Sequence, residues 1–258
     1  MPQPLSKILD TTKEWSINFN PDCMEKNSEL GGLIADIIAR WSAIEHRLAH
    51  IMIMLLGSNP VPAYAIFSTL INSSTQFDAV DRVAKSELSE ENYERFAASL
   101  SVVKTMAKAR NKLAHWIWAT SPQVPEALLL GRPVKLLEKA VRIQMFQSEF
   151  VVKSPESKAK YPKDLYHADL ENIFVYRKAD LEQIKNDLKQ TAEILGCLLI
   201  GLKPSIIEPD LLAVLPPEFR KWFSSDEIFR RLSNLSLFAE ALSRLRERQK
   251  NNPQAQAE

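Results

Sequence analysis

Three side chains near the middle of the chain carry the groups needed for acid–base and phosphate chemistry: Arg110, Asn111 and His115, in the string Arg110-Asn111-Lys112-Leu113-Ala114-His115-Trp116. A guanidinium grips a phosphate as a fork and stabilises charge developing on its oxygens. An imidazole titrates near neutrality, so it suits a general base on a ribose 2′-hydroxyl or a general acid on a leaving 5′-oxygen. An amide beside them can orient the imidazole or donate a hydrogen bond. That set supports acid–base chemistry at a phosphate without a metal. At about 100° per residue, Asn111 and His115 fall about 40° apart on a helix, whereas Arg110 and His115 fall about 140° apart. One straight helix does not aim all three at one phosphate, but two copies lining a shared cleft about a two-fold axis would.

The element that must hold these residues is a long amphipathic helix. Ser89 is a capping residue followed by Glu90 and Glu91, acids that suit the positive end of a helix dipole. Tyr93, Phe96, Leu100, Val103, Ala107, Arg110, Ala114 and Ile117 then recur in steps of four and three, so Arg110 is a charged interruption in an apolar seam. Buried without a partner, its guanidinium would cost several kcal/mol, roughly, in lost solvation.

The same periodicity predicts the neighbouring elements. From Ser28, Leu30, Ile34, Ile37, Trp41, Ile44, Leu48, Ile51 and Leu55 form one face of a helix ending near Gly57. Pro60 and Pro62 open a shorter helix through Ala63, Ile66, Phe67 and Leu70, and a third runs roughly from Gln76 to Leu88 with Phe77, Val80 and Val83 inward. Asp180 starts a further long helix through Leu181, Ile184, Leu188, Ala192, Leu195 and Leu199. Between the long helices, 127–130 and 173–176 read as two short strands forming a hairpin insertion within 119–177, joined by an irregular or partly helical connection. Its Lys-, Pro- and Ser-rich part, 154–163, is expected to be a mobile surface excursion. Residues 1–27 form an arm in which Trp15, Ile17 and Phe19 alternate. Pro209, Pro216 and Pro217 mark a linker, and Ser225 opens a final helix with Ile228, Leu232, Leu235, Leu242 and Leu245 inward, before a polar tail.

Composition narrows the function. With 45% hydrophobic and 25% charged residues, the chain buries a substantial core. Thirty-three basic against thirty-two acidic residues give a net charge of +1, so a polyanion would have to be met by a local patch. Six glycines form no phosphate loop, no HExxH occurs, and Cys23 and Cys197 match no metal or redox spacing, so neither cofactor nor metal is expected. Two reduced thiols, the lack of an export signal and the lack of a long apolar run together point to a cytoplasmic protein with no membrane role.

Arg110-Asn111-x-x-x-His115, at the end of a long helix and flanked by a first helix bearing Trp41 and Glu45 and a returning helix opened by Asp180-Leu181, resembles the Arg-x4-6-His signature of the HEPN superfamily. The resemblance covers roughly 28–202 and leaves 203–258 as a helical extension. It implies a mainly α, up-and-down helical bundle and a homodimer whose signature helices face each other. In many members it also implies a metal-independent endoribonuclease leaving a 2′,3′-cyclic phosphate and a 5′-hydroxyl. A toxin-antitoxin or antiviral setting, with an antitoxin or other regulatory protein as partner, is part of the same expectation. The alternative is a non-catalytic dimer of the same kind, binding RNA or a nucleotide, or serving as a protein-interaction adaptor.

The remaining candidates carry two readings each. Glu45 either orients Arg110 or His115 or is an ordinary surface acid, and a pairing of Arg110 with such a carboxylate would make both structural. His115 could also cap its helix as a cation. Trp116 and Trp118 either stack on bases or, the favoured reading, anchor a core or interface. Arg244, Arg246 and Arg248, with Lys250, either contact RNA phosphates or are a solvated basic helix end. His46 and His50 stand one turn apart on the first helix but lack a third ligand, so surface histidines are the preferred reading.

Overall fold

A computed structural model describes residues 2–9, 16–19, 22–57, 59–153, 170–202, 216 and 224–251. Trp15, the stretch 154–163, the linker prolines 209 and 217, and the tail from 252 lie outside them.

The chain is mainly helical, with a small antiparallel sheet. In order it forms β1 (Gln3–Pro4), α1 (Cys23–Lys26), α2 (Ser28–Leu56), α3 (Pro60–Thr69), α4 (Ser73–Glu87), α5 (Glu90–His115), β2 (Ile117–Ala119) and β3 (Ala127–Gly131). There follow α6 (Pro133–Lys153), β4 (Ile173–Arg177), α7 (Lys178–Leu202), α8 (Ser225–Ser233) and α9 (Ser236–Asn251). It divides into two compact units, each drawing on two stretches of sequence: 1–36 with 111–183, and 37–110 with 184–258.

The first unit is built on the sheet, whose strand order is β1-β4-β3-β2. β3 pairs with β4 from Ala127 opposite Arg177 to Gly131 opposite Ile173, as the two apolar runs lead one to expect. β3 is buried along its whole length, which is why it reads as a continuous apolar run rather than an alternation. The sheet is larger than a hairpin. β1 joins β4, β2 joins β3, and Asn18 bridges to Thr120 beyond the end of β2. Leu5, Leu9, Ala119, Ala127, Leu129, Ile173 and Val175 make one core. Gly131 is needed where α6 leaves the sheet, because a Cβ there would lie 2.4 Å from Leu136 Cδ1 and 3.2 Å from Phe19 Cε1.

The connection after β3 is partly helical, through the 21-residue helix α6. Two sequence expectations are corrected here. Ile117 is not on the long helix of Arg110 and His115: α5 stops at His115 and Ile117 opens β2, 41% exposed. The final helix is two helices, α8 and α9, broken at Asn234 and Leu235.

The second unit is a helical assembly. Trp41, Ile44, Leu48 and Ile51 of α2 are buried as their spacing requires. A second cluster joins Ala98 and Val102 of α5, Ile194 and Cys197 of α7, Ile228 and Leu232 of α8, and Phe238 and Ala241 of α9. Gly196 lets Arg47 of α2 reach the Ala192 carbonyl, to which its Nη1 donates, since a Cβ at Gly196 would lie 2.9 Å from that nitrogen. Gly201 receives the ring of Phe229, 2.5 Å from where a Cβ would be, and Arg95 lies 4.2 Å over the same ring. On α3, Ala63 and Phe67 are buried and Ile66 is exposed.

Trp41 is fully buried, and its indole Nε1 finds no acceptor among the described residues. Trp41→Ala is expected to lower the unfolding free energy by about 3–5 kcal/mol through cavity formation. Trp41→Phe keeps most of the packing and removes the unpaired N–H, so its cost should stay below about 1.5 kcal/mol. Urea unfolding compares the two, and equal losses would show that the indole N–H is in fact satisfied.

Candidate functional site

α5 begins where the Ser89 carbonyl accepts from the Tyr93 N–H at 2.8 Å and Ser89 Oγ accepts from the Asn92 N–H at 3.4 Å. Along its middle, Phe96, Ala98, Ser99, Leu100, Val102, Val103, Met106 and Ala107 are all buried. Ser101, Thr105 and Lys108, at intervals of four and three, are exposed, so the helix buries one broad side and keeps one solvent face. Ser99, the polar member of the buried run, is satisfied by donating to the Arg95 carbonyl at 2.9 Å.

The solvent face continues into the last turn and a half. Leu113 is buried, whereas Asn111, Ala114 and His115 are exposed. Asn111 and His115 share one helix face, about 40° apart, and Ala114 lies to its side, toward Arg110. Arg110 lies on a different face from Asn111 and His115, half-buried, with its Nε withdrawn from solvent. Within one chain the helix therefore brings Asn111 and His115 together and turns Arg110 away from them. The seam also departs from its expected register, since Leu113 rather than Ala114 points inward.

Lys112 and His115 sit in the final turn, where cations complement the unpaired carbonyls. Trp116 closes the helix by donating its N–H to the Lys112 carbonyl at 3.0 Å. Its ring stands 5.5 Å from that of Phe174 on β4, and Lys112 Nζ lies 5.3 Å from Trp116 and 5.2 Å from Phe174. Lys112 was not singled out from the sequence. The available signal was its place one turn before Trp116, and the second ring is 62 residues away in the numbering between Lys112 and Phe174. Trp118 is half-buried on β2.

The other candidates are dispersed. Glu45 is half-buried on α2. His46 and His50 are exposed with ring centroids 5.6 Å apart, and Tyr64 meets His46 edge-on at 5.8 Å. Arg244 and Arg248 are exposed on α9, but Arg246 is committed to Glu94 through two hydrogen bonds of 2.8 and 2.7 Å. Beside it, Phe238 and Leu242 floor a cleft of about 340 Å³ rimmed by Arg246, Glu247 and Lys250.

Other reactive groups are held inert. Burial pushes the thiols of Cys23 and Cys197 up, which disfavours the thiolate a nucleophile needs. Burial also pushes the Tyr176 phenol up to about 12. Among the described residues no three His, Cys, Asp or Glu side chains are grouped to hold a metal, and no helix is long and apolar enough to cross a membrane. No family model, curated protein or solved structure matches the chain.

The hydrogen bonds from Arg246 hold the Glu94 carboxyl below the usual carboxylate range. The folded value is the depressed one, so the stabilisation is complete above the ordinary glutamate range, near about pH 4.3, and is lost as pH falls through the folded value. Arg246 is 57% exposed, which limits the pair to about 1 kcal/mol or less. Glu94→Gln should therefore lower the thermal midpoint slightly at pH 7, with the difference from the parent closing in acid. A difference that persists at pH 3 would assign the effect to packing.

Proposed function

We propose that the exposed end of α5 is the reaction face of a metal-independent endoribonuclease of HEPN type, acting on single-stranded RNA in a cleft shared by two copies of the chain. The observation that carries this reading is that Asn111 and His115 are exposed together in the last turn and a half of α5, with the half-buried Arg110 just before them. His115 takes the proton of the ribose 2′-hydroxyl as its oxygen attacks phosphorus. The bond to the 5′-oxygen breaks, and an imidazolium returns a proton to that oxygen, leaving a 2′,3′-cyclic phosphate and a 5′-hydroxyl. Arg110 stabilises the charge on the non-bridging oxygens, and Asn111 orients the imidazole. Because Arg110 and His115 diverge around one helix, the second copy completes each centre. The setting that fits is a reducing cytoplasm, with an antitoxin or other regulatory protein restraining the enzyme in a toxin-antitoxin or antiviral system. Exposed Arg244 and Arg248 are the part of the basic α9 end best placed to meet RNA phosphate.

A second reading, a non-catalytic RNA- or protein-binding adaptor, is favoured by two features. Arg110 is half-buried, and Trp116 is packed against Phe174 with Lys112 over both rings. Such a site would bind without turnover.

The purified protein is expected to cleave labelled single-stranded RNA in the presence of EDTA. His115→Ala should slow this by about 10²–10⁴-fold and Arg110→Ala by a comparable factor. Full activity in either variant sinks the catalytic assignment. Dependence on a divalent ion would rule out the His/Arg mechanism, and RNA binding without cleavage would select the adaptor.

A further inference from the structure

α6 carries two apolar faces. Leu136 packs where the chain leaves the sheet at Gly131. About 145° around the helix from it, Val134, Leu137, Val141 and Met145 are 62%, 65%, 45% and 60% exposed. Single exposed apolar side chains are ordinary, but these follow one another at intervals of three, four and four and form a stripe about 16 Å long. Spacing of this kind is what a helix presents to a partner helix.

The flanks of the stripe say which partner. Glu138 and Arg142 both lie on one side of it, while Ala140 and Gln144 lie on the other. Glu138 pairs with Lys135 at 2.8 Å and remains 50% exposed. If two copies of α6 pack antiparallel about a two-fold axis at Val141, like sides face each other. Val141 then meets Val141, each Leu137 meets a Met145, and each Glu138 comes within about two residues, or 3 Å along the axis, of an Arg142. Parallel packing would instead set the charged side against Ala140 and Gln144 and form no ion pair.

We propose that the exposed stripe of α6 is a self-association surface through which two copies of this chain pair antiparallel, with Leu137, Val141 and Met145 in the seam and reciprocal Glu138–Arg142 pairs beside it. The surface contains none of Arg110, Asn111 and His115, and it does not depend on the ribonuclease reading. A stripe of this length buries less than a standard interface, so the association is concentration-dependent.

Light scattering over a range of concentrations should show an assembled mass that Leu137→Glu with Val141→Glu halves. Both positions are exposed, so far-UV circular dichroism should be unchanged. Glu138→Arg alone should weaken association several-fold, and adding Arg142→Glu should restore it. Under mild oxidation, Leu137→Cys protein mixed with Met145→Cys protein should cross-link as the mixed pair, since native Cys23 and Cys197 are buried. The proposal is overturned if the double glutamate variant keeps the parental mass, if the charge swap fails to restore association, or if Leu137→Cys links preferentially to itself. RNA turnover is not among these readouts, so failure here leaves the nuclease reading intact and failure of that reading leaves this one.

Discussion

The helical unit depends on the burial of one broad side of α5. Between Phe96 and Ala107 the helix withdraws Ala98, Ser99, Leu100, Val102 and Val103 from water and leaves Ser101 and Thr105 to solvent. With one side buried and the other open, its rotation about its own axis is set by that burial. In the last turn and a half Leu113 is buried while Asn111, Ala114 and His115 are exposed. The pairing of Ile117 with Gly131 immediately afterwards ties the helix end to the sheet.

Arginine does much of the joining of the surrounding helices. Arg47 donates to a main-chain carbonyl of α7, Arg95 covers the ring of Phe229, and Arg246 forks onto Glu94. Gly196 leaves room for the Arg47 approach, and Gly201 for the ring of Phe229. Arg231 adds a looser contact with Glu193 at 3.6 Å. The commitment of Arg246 to Glu94 shows why a run of basic residues at the C-terminal helix is not by itself a phosphate-binding stripe. Each tie also costs side-chain entropy, and the exposed ones contribute little to stability.

Two stretches of exposed apolar side chains among the described residues differ in kind. From Ile51 to Phe77 no charged residue occurs, and Val61, Tyr64, Ile66 and Ile71 of this stretch are open to solvent without helical order among them. On α6 the exposed residues are periodic and flanked by opposite charges. Periodicity and charge together define a partner geometry, whereas exposure alone defines only a sticky surface.

The sequence by itself determined the helices α2, α5 and α7, the pairing candidates β3 and β4, and the common face of Asn111 and His115. These follow from local repeats of 3.6 or from a short apolar run, which a few consecutive residues specify. It also read the opening of α7 correctly, where Asp180 accepts from the Arg177 N–H at 3.1 Å, because a helix start is a local device. Tertiary structure alone decided the rest. Ile117 fits the helical seam by spacing, yet it leaves the helix because Gly131 offers it a strand partner. The contact that occupies Arg246 lies with Glu94, 152 positions away, and the ring that completes the setting of Lys112 lies on another strand. Such contacts depend on which elements meet, and no pattern within a single helix encodes its distant neighbour.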